Sequence, residues 1–255
     1  MIFDLQKASI LKRASAFLLD LILIAIVAVF FAYLLSLVTG YNDYSKQYNE
    51  RRAYYLAEYD IEENISQEEY DKLPEEKKED YKKASEALSK DKVAVKSYNM
   101  VVNLSILITS LSIFFAFILL EFILPIVFKN GQTVGKKIFS IALMRSNGVK
   151  IGNISLFIRS ILGKYAIETM IPVYFLIMLF FGRLDALGAI LLFAIPLVNI
   201  IILLVTSSHS AIHDLLADTV AVDMSCQKIF DSEADLIAYK EELHRQEAEK
   251  ADYRV

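Results

Sequence analysis

Three acidic residues stand within long apolar stretches of the sequence or near the start of one. Asp20 is the only charged residue between Ala14 and Gly40. Glu121 is likewise alone between Asn99 and Phe128, and Glu168 lies near the start of a third stretch. A carboxylate inside a bilayer is unfavourable unless it faces protein or water and has a partner. These three acids are therefore the first candidates for chemistry.

Cationic residues and a histidine near these acids indicate a polar cluster at one depth of the membrane. Arg13 precedes Asp20 by two helical turns, roughly 10 Å along the same face at ~1.5 Å per residue. Arg159 precedes Glu168, and a His-Asp pair follows the last apolar stretch. The candidate cluster contains Arg13, Asp20, Glu121, Arg159, Glu168, His213 and Asp214.

Two roles for this cluster are compatible with the sequence. In the first, the cluster is a set of buried ion pairs that fixes how the helices pack. The His213–Asp214 pair would then hold the end of the last apolar helix against Arg13 or Arg159. In the second, the cluster binds protons or small cations, because burial raises the pKa of a carboxyl group while a nearby arginine lowers it.

Two further patterns are candidate cofactor sites. His209 and His213 have the spacing of one helical turn, at which two histidines can share a metal ion, but the sequence lacks H-E-x-x-H. They are weak metal candidates. Residues 131–136, GQTVGK, superficially resemble a phosphate loop but lack its spacing, so a turn with lysines facing lipid headgroups is expected. We predict no cofactor, and no enzyme, since no nucleophile–base set is visible.

The composition is that of a polytopic membrane protein. Hydrophobic residues make up 55% of the 255 residues, and the mean hydropathy is +0.41. No basic patch with interleaved aromatic residues is present, which argues against nucleic acid as a partner. The single cysteine, Cys226, excludes an internal disulfide and a cysteine-based metal site.

The expected fold is an all-α membrane protein with four transmembrane helices and a long extracytoplasmic helical-hairpin insert. A small cytoplasmic element would consist of a β-hairpin and an interfacial helix. The segments in order are an interfacial N-terminus and transmembrane helix 1 (1–40), the polar insert (41–98), transmembrane helix 2 (99–128), a basic hairpin and interfacial helix (129–164), transmembrane helices 3 and 4 (165–206), a His-Asp segment (207–224) and a charged tail (225–255).

The distribution of basic residues predicts the orientation of the chain in the cell membrane. Residues 129–164 contain many lysines and arginines and no acid, which places this segment in the cytoplasm by the positive-inside rule. With four crossings, both termini are then cytoplasmic and residues 41–98 are outside. Residues 1–12 are expected in the membrane interface, with apolar side chains such as Ile2 and Phe3 in lipid and Lys7 and Lys12 near headgroups.

Local patterns predict how the polar segments fold. Ser66 and Glu69 have the spacing of a capping box, and we expect a helix from Pro74 that continues into transmembrane helix 2. Asn147-Gly148 predicts a hairpin turn after an apolar strand at 138–144. That strand could also pair with the alternating residues 219–224.

Two further expectations concern the start of the interfacial helix and the C-terminal tail. Asn153 is expected to cap the amphipathic interfacial helix that leads into transmembrane helix 3. The tail, 225–255, is strongly acidic and has few apolar residues. We therefore expect it to form an exposed, partly helical extension.

The chain resembles the RDD family of bacterial membrane proteins, named for an arginine and two aspartates. The matching residues are Arg13 and Asp20 at helix 1 and Asp214 in the sequence His-Asp-Leu-Leu-Ala-Asp-Thr. Further matches are Glu121, the G-x-T-x-G-K element at 131–136, Asn147-Gly148 and Arg159. The resemblance covers residues 1–40 and 99–224, while the insert and the tail look particular to this chain. Family members commonly have glycine where this chain has Asp218.

The resemblance implies two kinds of function. Cation/proton antiport has been proposed for some members of the family, and others look like accessory membrane factors. The first hypothesis is therefore a carrier that moves small cations or protons and assembles as a homo-oligomer, since four helices are few for alternating access. The second is a non-transporting scaffold in the lipid bilayer that docks a membrane partner protein through the insert at 41–98.

Overall fold

The fold is known from a computed structural model, which describes residues 5–63, 65–206 and 209–252. The interfacial placement expected for Ile2 and Phe3, and the last residues of the tail, lie outside these ranges. The helices are α1 (Ile10–Val38), α2 (Tyr41–Glu58), α3 (Gln67–Asp71), α4 (Glu75–Lys90), α5 (Lys92–Phe117), α6 (Leu124–Phe128), α7 (Val134–Ile138), α8 (Asn153–Phe157), α9 (Ile171–Phe180), α10 (Ala186–Val205), α11 (Ile212–Leu216) and α12 (Glu233–Asp252). The strands are β1 (Ile141–Arg145) and β2 (Thr219–Asp223).

Helices with the length and composition of membrane spans dominate the fold. Within the described ranges there are four such helices, at Ile10–Val38, Lys92–Phe128, Asn153–Phe180 and Ala186–Val205. Most of their apolar side chains are exposed in the isolated chain, which suits contact with lipid hydrocarbon. The prediction of a mainly helical protein with four candidate membrane spans and a small strand element is confirmed at this level.

Two of these spans contain π-helical turns. The second span passes from α5 through a π segment, Ile118–Ile123, into α6. The third passes from α8 through a longer π segment, Ile158–Met170, into α9. π turns occur frequently at functional sites, and Glu121, Arg159 and Glu168 all lie in these two segments.

The beginning of the third span differs from the expectation in one detail. Gly152 is the N-cap of α8, and Asn153 is already the first helical residue. No side chain caps this end of the helix. The interfacial helix expected at this point is therefore the first part of one uninterrupted helical run that continues through α9.

Residues 30–111 form a compact unit of their own. Within it α2 packs against α4, as expected for a helical hairpin. The capping box at Ser66 is present, because Ser66 Oγ accepts from the Glu69 N–H at 3.3 Å and the Glu69 carboxylate accepts from the Ser66 N–H at 2.8 Å. The expectation of one continuous helix from Pro74 is wrong, since α4 ends at Lys90 and α5 begins at Lys92.

The side chain of Asp91 explains this break between α4 and α5. One carboxylate oxygen accepts from the N–H groups of Val93 and Ala94, at 2.8 and 3.2 Å, and so caps the new helix. The other oxygen accepts from Arg51 Nε at 2.6 Å and from the Tyr55 hydroxyl at 3.2 Å. Asp91 therefore starts α5 and fixes α2 beside it.

The two strands lie in the second unit, formed by residues 1–29 and 112–255. β1 and β2 pair in antiparallel register with Leu143 opposite Ala221, so the predicted pairing of these segments is observed. The strand was expected to begin at Ile138, but Ile138 is the last residue of α7 and β1 begins at Ile141. Asn147-Gly148 makes the predicted turn, with Arg145 N–H donating to the Val149 carbonyl at 2.8 Å and Met144 forming an isolated bridge with Lys150.

The described part of the segment before α1, residues 5–9, joins this sheet. The interfacial placement expected for residues 1–12 stays a prediction. Lys7 forms a bridge with Val222, and the Ala8 N–H donates to the Ala221 carbonyl at 3.2 Å. Lys12, in the first turn of α1, pairs with Asp223 at 2.6 Å. This pairing and the contact to Ser225 lower the pKa of Asp223 to about 2.

The tail is only partly the exposed extension that its composition predicts. Leu236 is buried with Val149 and Phe230, and Tyr239 packs against them. Arg145 pairs with Glu233 at 3.2 Å across the same contact. The first turns of α12 therefore dock on the Asn147-Gly148 hairpin, while its later residues are mostly exposed.

Candidate functional site

Asp214 is a fully buried carboxylate held by two arginines. Arg159 donates to Oδ1 from Nε at 2.9 Å and from Nη2 at 2.7 Å. Arg13 reaches Oδ2 at 3.3 Å from the first turn of α1, and its other amino group donates to the His209 carbonyl at 2.5 Å. The carboxylate thus joins α1, the longer π segment and α11.

Glu168 and His213 form the second pair of the site. The Nδ1 atom of His213 lies 2.9 Å from both oxygens of Glu168, and the His213 backbone N–H donates to Oε1 at 2.9 Å. Burial lowers the pKa of His213, and Arg159 adds to this effect against the attraction of Asp214 and Glu168. The imidazole is therefore mainly neutral at neutral pH. A Cβ at Gly163 would lie 2.6 Å from the His213 Cβ, so glycine permits this approach.

Glu121 is buried between two lysines that the sequence interpretation did not include in the cluster. Lys164 donates to Oε1, and Lys136 Nζ lies 3.9 Å from Oε2. The expectation that Lys136 faces lipid headgroups is wrong, because its side chain is buried. Burial lowers the pKa of Lys136 to about 8, although Glu121 attracts the charged form. The neighbouring Lys137 is the exposed one, with its ammonium 3.9 Å from the Phe128 ring centre.

Asp20 is bound in a different way from the other acids. Its Oδ2 accepts from the Thr133 hydroxyl at 2.5 Å, and its Oδ1 accepts from the Gly135 N–H at 2.8 Å. No described lysine, arginine or histidine forms an ion pair with it. The side chain is only 6% exposed, although Asp20 lies in a candidate membrane span. Arg13 has other partners, so the two residues do not interact directly.

The close approach of α7 to α1 explains why residue 135 is glycine. A Cβ at this position would lie 2.3 Å from the Ala16 carbonyl oxygen and 3.0 Å from Asp20 Cγ. Thr133 caps α7 by accepting from the Lys136 N–H at 3.3 Å. The G-x-T-x-G-K element therefore supplies a backbone donor and a hydroxyl to Asp20.

Comparison with known proteins identifies the family that these residues define. A profile of the RDD family matches residues 7–218, which is most of the chain. The protein belongs to the RDD family. Neither the curated proteins nor the solved structures gave a match. RDD proteins are membrane proteins, in agreement with the four candidate spans.

The arginine and the two aspartates of the RDD resemblance fall into two places in the site. Arg13 and Asp214 form one ion pair, whereas Asp20 lies against the 131–136 element. All seven cluster residues proposed from the sequence are in one compact unit. Two cationic side chains were missed, Lys136 and Lys164. Both lie in the acid-free basic segment 129–164, which follows Glu121 in the sequence. A buried acid such as Glu121 needs cationic partners, and that need is the signal that could have identified the two lysines.

The network of this RDD protein is neutral when His213 is neutral. Four cations balance four carboxylates: Arg13, Lys136, Arg159 and Lys164 against Asp20, Glu121, Glu168 and Asp214. Neutrality of the whole set lowers the free-energy cost of placing it near or within a bilayer. Lys136 lies near both Glu121, at 3.9 Å, and the Thr133 hydroxyl that donates to Asp20.

The weak metal candidates do not share one helix face. His209 precedes α11 with a positive φ of 50°, and its Nδ1 lies 3.2 Å from the Leu203 carbonyl. His213 lies within α11 and faces Glu168. Among the residues that the structure describes, no group of three or more histidine, cysteine or acidic side chains is arranged to hold a metal ion.

Proposed function

We propose that this RDD protein is a proton-coupled carrier of small cations in the cell membrane, with Asp20 as its proton-binding residue. The observation that carries the proposal is the environment of Asp20, which is buried in a candidate span and bound by neutral donors. The other acids of the network each have a direct cationic or histidine partner. Among the described residues, Asp20 is therefore the acid of this set whose protonation disturbs no direct contact to a cationic or histidine side chain.

The two donors of Asp20 are compatible with both protonation states. An ionised carboxylate accepts from the Thr133 hydroxyl and the Gly135 N–H. A protonated one can keep the Gly135 bond and donate to the Thr133 oxygen, because a hydroxyl both donates and accepts. A carrier needs such a residue, since it must take up and release protons without unfolding the site.

The orientation is also part of the proposal. We place both termini and the basic 129–164 segment in the cytoplasm, following the positive-inside rule. Four spans are few for alternating access, so we expect the carrier to act as a homo-oligomer. The resemblance to relatives for which antiport has been proposed supports a carrier over an enzyme.

Ion-driven proton movement in proteoliposomes tests the carrier. Wild type, Asp20→Asn and the control Asp218→Asn are reconstituted at equal density and given Na⁺, K⁺ or Li⁺ pulses. We expect a pH change with wild type and the control, and at least about a tenfold smaller rate with Asp20→Asn. A correctly inserted wild type that gives no signal with any of the ions would reject the carrier.

A scaffold is the alternative function, and a feature of the insert favours it. Arg51 and Tyr55 tie α2 to Asp91, so the hairpin is held at its base and can present a fixed polar surface. Replacing residues 43–95 by a short linker separates the two functions. A scaffold should lose its partner in pull-downs from detergent-solubilised membranes, whereas a carrier should keep its ion-driven signal.

A further inference from the structure

The hydroxyl of Thr133 lies between the carboxylate of Asp20 and the ammonium of Lys136. It donates to Asp20 Oδ2 at 2.5 Å and accepts from Lys136 Nζ at 3.2 Å. All three side chains are buried, with Thr133 only 2% exposed. A cation and an anion are thus joined by one hydroxyl in a site with little access to water.

We propose that Lys136 is the proton-exchange partner of Asp20 and that the Thr133 hydroxyl relays the proton between them. The proposal rests on the carrier function and adds the route by which Asp20 is protonated. It assigns a role to a lysine that the family resemblance alone gives no role. It also explains why the hydroxyl at position 133 touches both side chains.

The relay is balanced in atoms and charge. Lys136 Nζ gives a proton to Thr133 Oγ1 while Thr133 gives its own proton to Asp20 Oδ2. The N–H bond of Lys136 and the O–H bond of Thr133 break, and new O–H bonds form on Thr133 and Asp20. The products are a neutral amine and a neutral carboxylic acid. One positive and one negative charge disappear together, so the network remains neutral in both states.

The surroundings of Lys136 favour loss of its proton more than those of an exposed lysine. The charged groups that act on it are Glu121, Lys164, Arg159 and Asp20. Burial and the two cations favour the neutral amine, and the two acids favour the ammonium. The result is a pKa of about 8, close enough to neutral pH for proton exchange. Arginine could not replace lysine here, because its guanidinium keeps its proton.

The test measures the pH profile of ion-driven proton movement in proteoliposomes for four variants beside wild type. Lys136→Arg keeps the charge but cannot release a proton. Thr133→Val removes the relay, and Thr133→Ser restores its hydroxyl. Lys137→Arg is the matched control, because Lys137 is the exposed neighbour. Circular dichroism melts in detergent establish which variants are folded.

We expect Lys136→Arg and Thr133→Val to lower the rate at least about tenfold, with Thr133→Ser and Lys137→Arg near wild type. The wild-type rate should fall above about pH 8, as Lys136 becomes neutral. A folded Lys136→Arg with the wild-type rate and pH profile would overturn the relay and leave the carrier intact. If Lys136→Arg does not fold, equal rates for Thr133→Val and Thr133→Ser would overturn it. No signal from wild type would overturn both proposals.

Discussion

Arg159 holds Asp214 by two hydrogen bonds to a single carboxylate oxygen. Nε and Nη2 donate to Oδ1 at 2.9 and 2.7 Å, which leaves Oδ2 for Arg13. Burial favours the protonated acid, but Arg159, and then His213 and Arg13, hold the pKa of Asp214 well below its usual range. The carboxylate is therefore a permanent anion at the centre of the ion pairs, and this role differs from that of Asp20.

The first prediction concerns the free energy of unfolding of Asp214→Asn. Removing this negative charge leaves Arg159 and Arg13 buried without their anion, which costs about 3–5 kcal/mol in comparable buried pairs. We expect a clearly lower melting temperature in detergent, measured by circular dichroism. The exposed Asp218→Asn is the control, because asparagine tolerates the positive φ of 51° at that position. Equal melting temperatures for the two variants would refute the buried-pair account.

A second prediction concerns the approach of α7 to α1. Gly135→Ala places a methyl group 2.3 Å from the Ala16 carbonyl oxygen, so one of the two helices must move. Overpacking of this kind costs about 1–3 kcal/mol of folding free energy. The same displacement moves the backbone N–H of residue 135 away from Asp20, which accepts a hydrogen bond from it. We expect a lower melting temperature together with impaired ion-driven proton movement. Gly152→Ala, whose added methyl would contact nothing within 4 Å, should behave as wild type in both measurements.

The positions of the spans could be predicted from the sequence because long apolar runs have one stable solution in a bilayer. The strand pairing was also accessible, since residues 219–224 alternate. Asp91 was not recognised as a helix break. It is neither glycine nor proline, and the break depends on its side chain capping α5 while it also binds Arg51.

The partners of the buried charges depend on tertiary contacts that periodicity does not contain. Lys136 and Lys137 are adjacent in one basic segment, so the sequence does not show which of the two is buried. In the folded protein α7, which Thr133 caps, places Lys136 near Glu121 and leaves Lys137 exposed. Likewise, the spacing of Arg13 and Asp20 puts them on one face of α1. Their partners nevertheless come from separate elements, α11 for Arg13 and α7 for Asp20.

The third prediction is a pH dependence of stability that originates at His213. Burial lowers the pKa of His213 in the folded protein, so below about pH 6.5 the unfolded chain binds more protons than the folded one. Stability must then fall as the pH falls through this value. Asp214 does not contribute in this window, because its pKa lies far lower. Glu168, Asp214 and Arg159 are the charged groups that act on the imidazole.

Melting temperatures measured between about pH 7.5 and pH 5.5 test this dependence. Wild type should lose stability across the range. His213→Gln should be less stable at pH 7.5 but nearly independent of pH, because glutamine has no proton to gain. The exposed His244→Gln is the control and should follow wild type. A wild-type melting temperature that rises as the pH falls would show that the imidazolium is the favoured form and would reverse the assignment.

The last prediction concerns the base of the insert. Asp91→Asn weakens the bond to Arg51 and the contact to the Tyr55 hydroxyl, so α2 is held less firmly beside the start of α5. We expect limited proteolysis to cut faster between residues 41 and 98 in this variant, with the four spans left intact. Glu86→Gln, an exposed change on α4 within the same insert, provides the matched control. If the two variants give the same cleavage rate, Asp91 does not fix the hairpin, and the scaffold alternative loses its structural support.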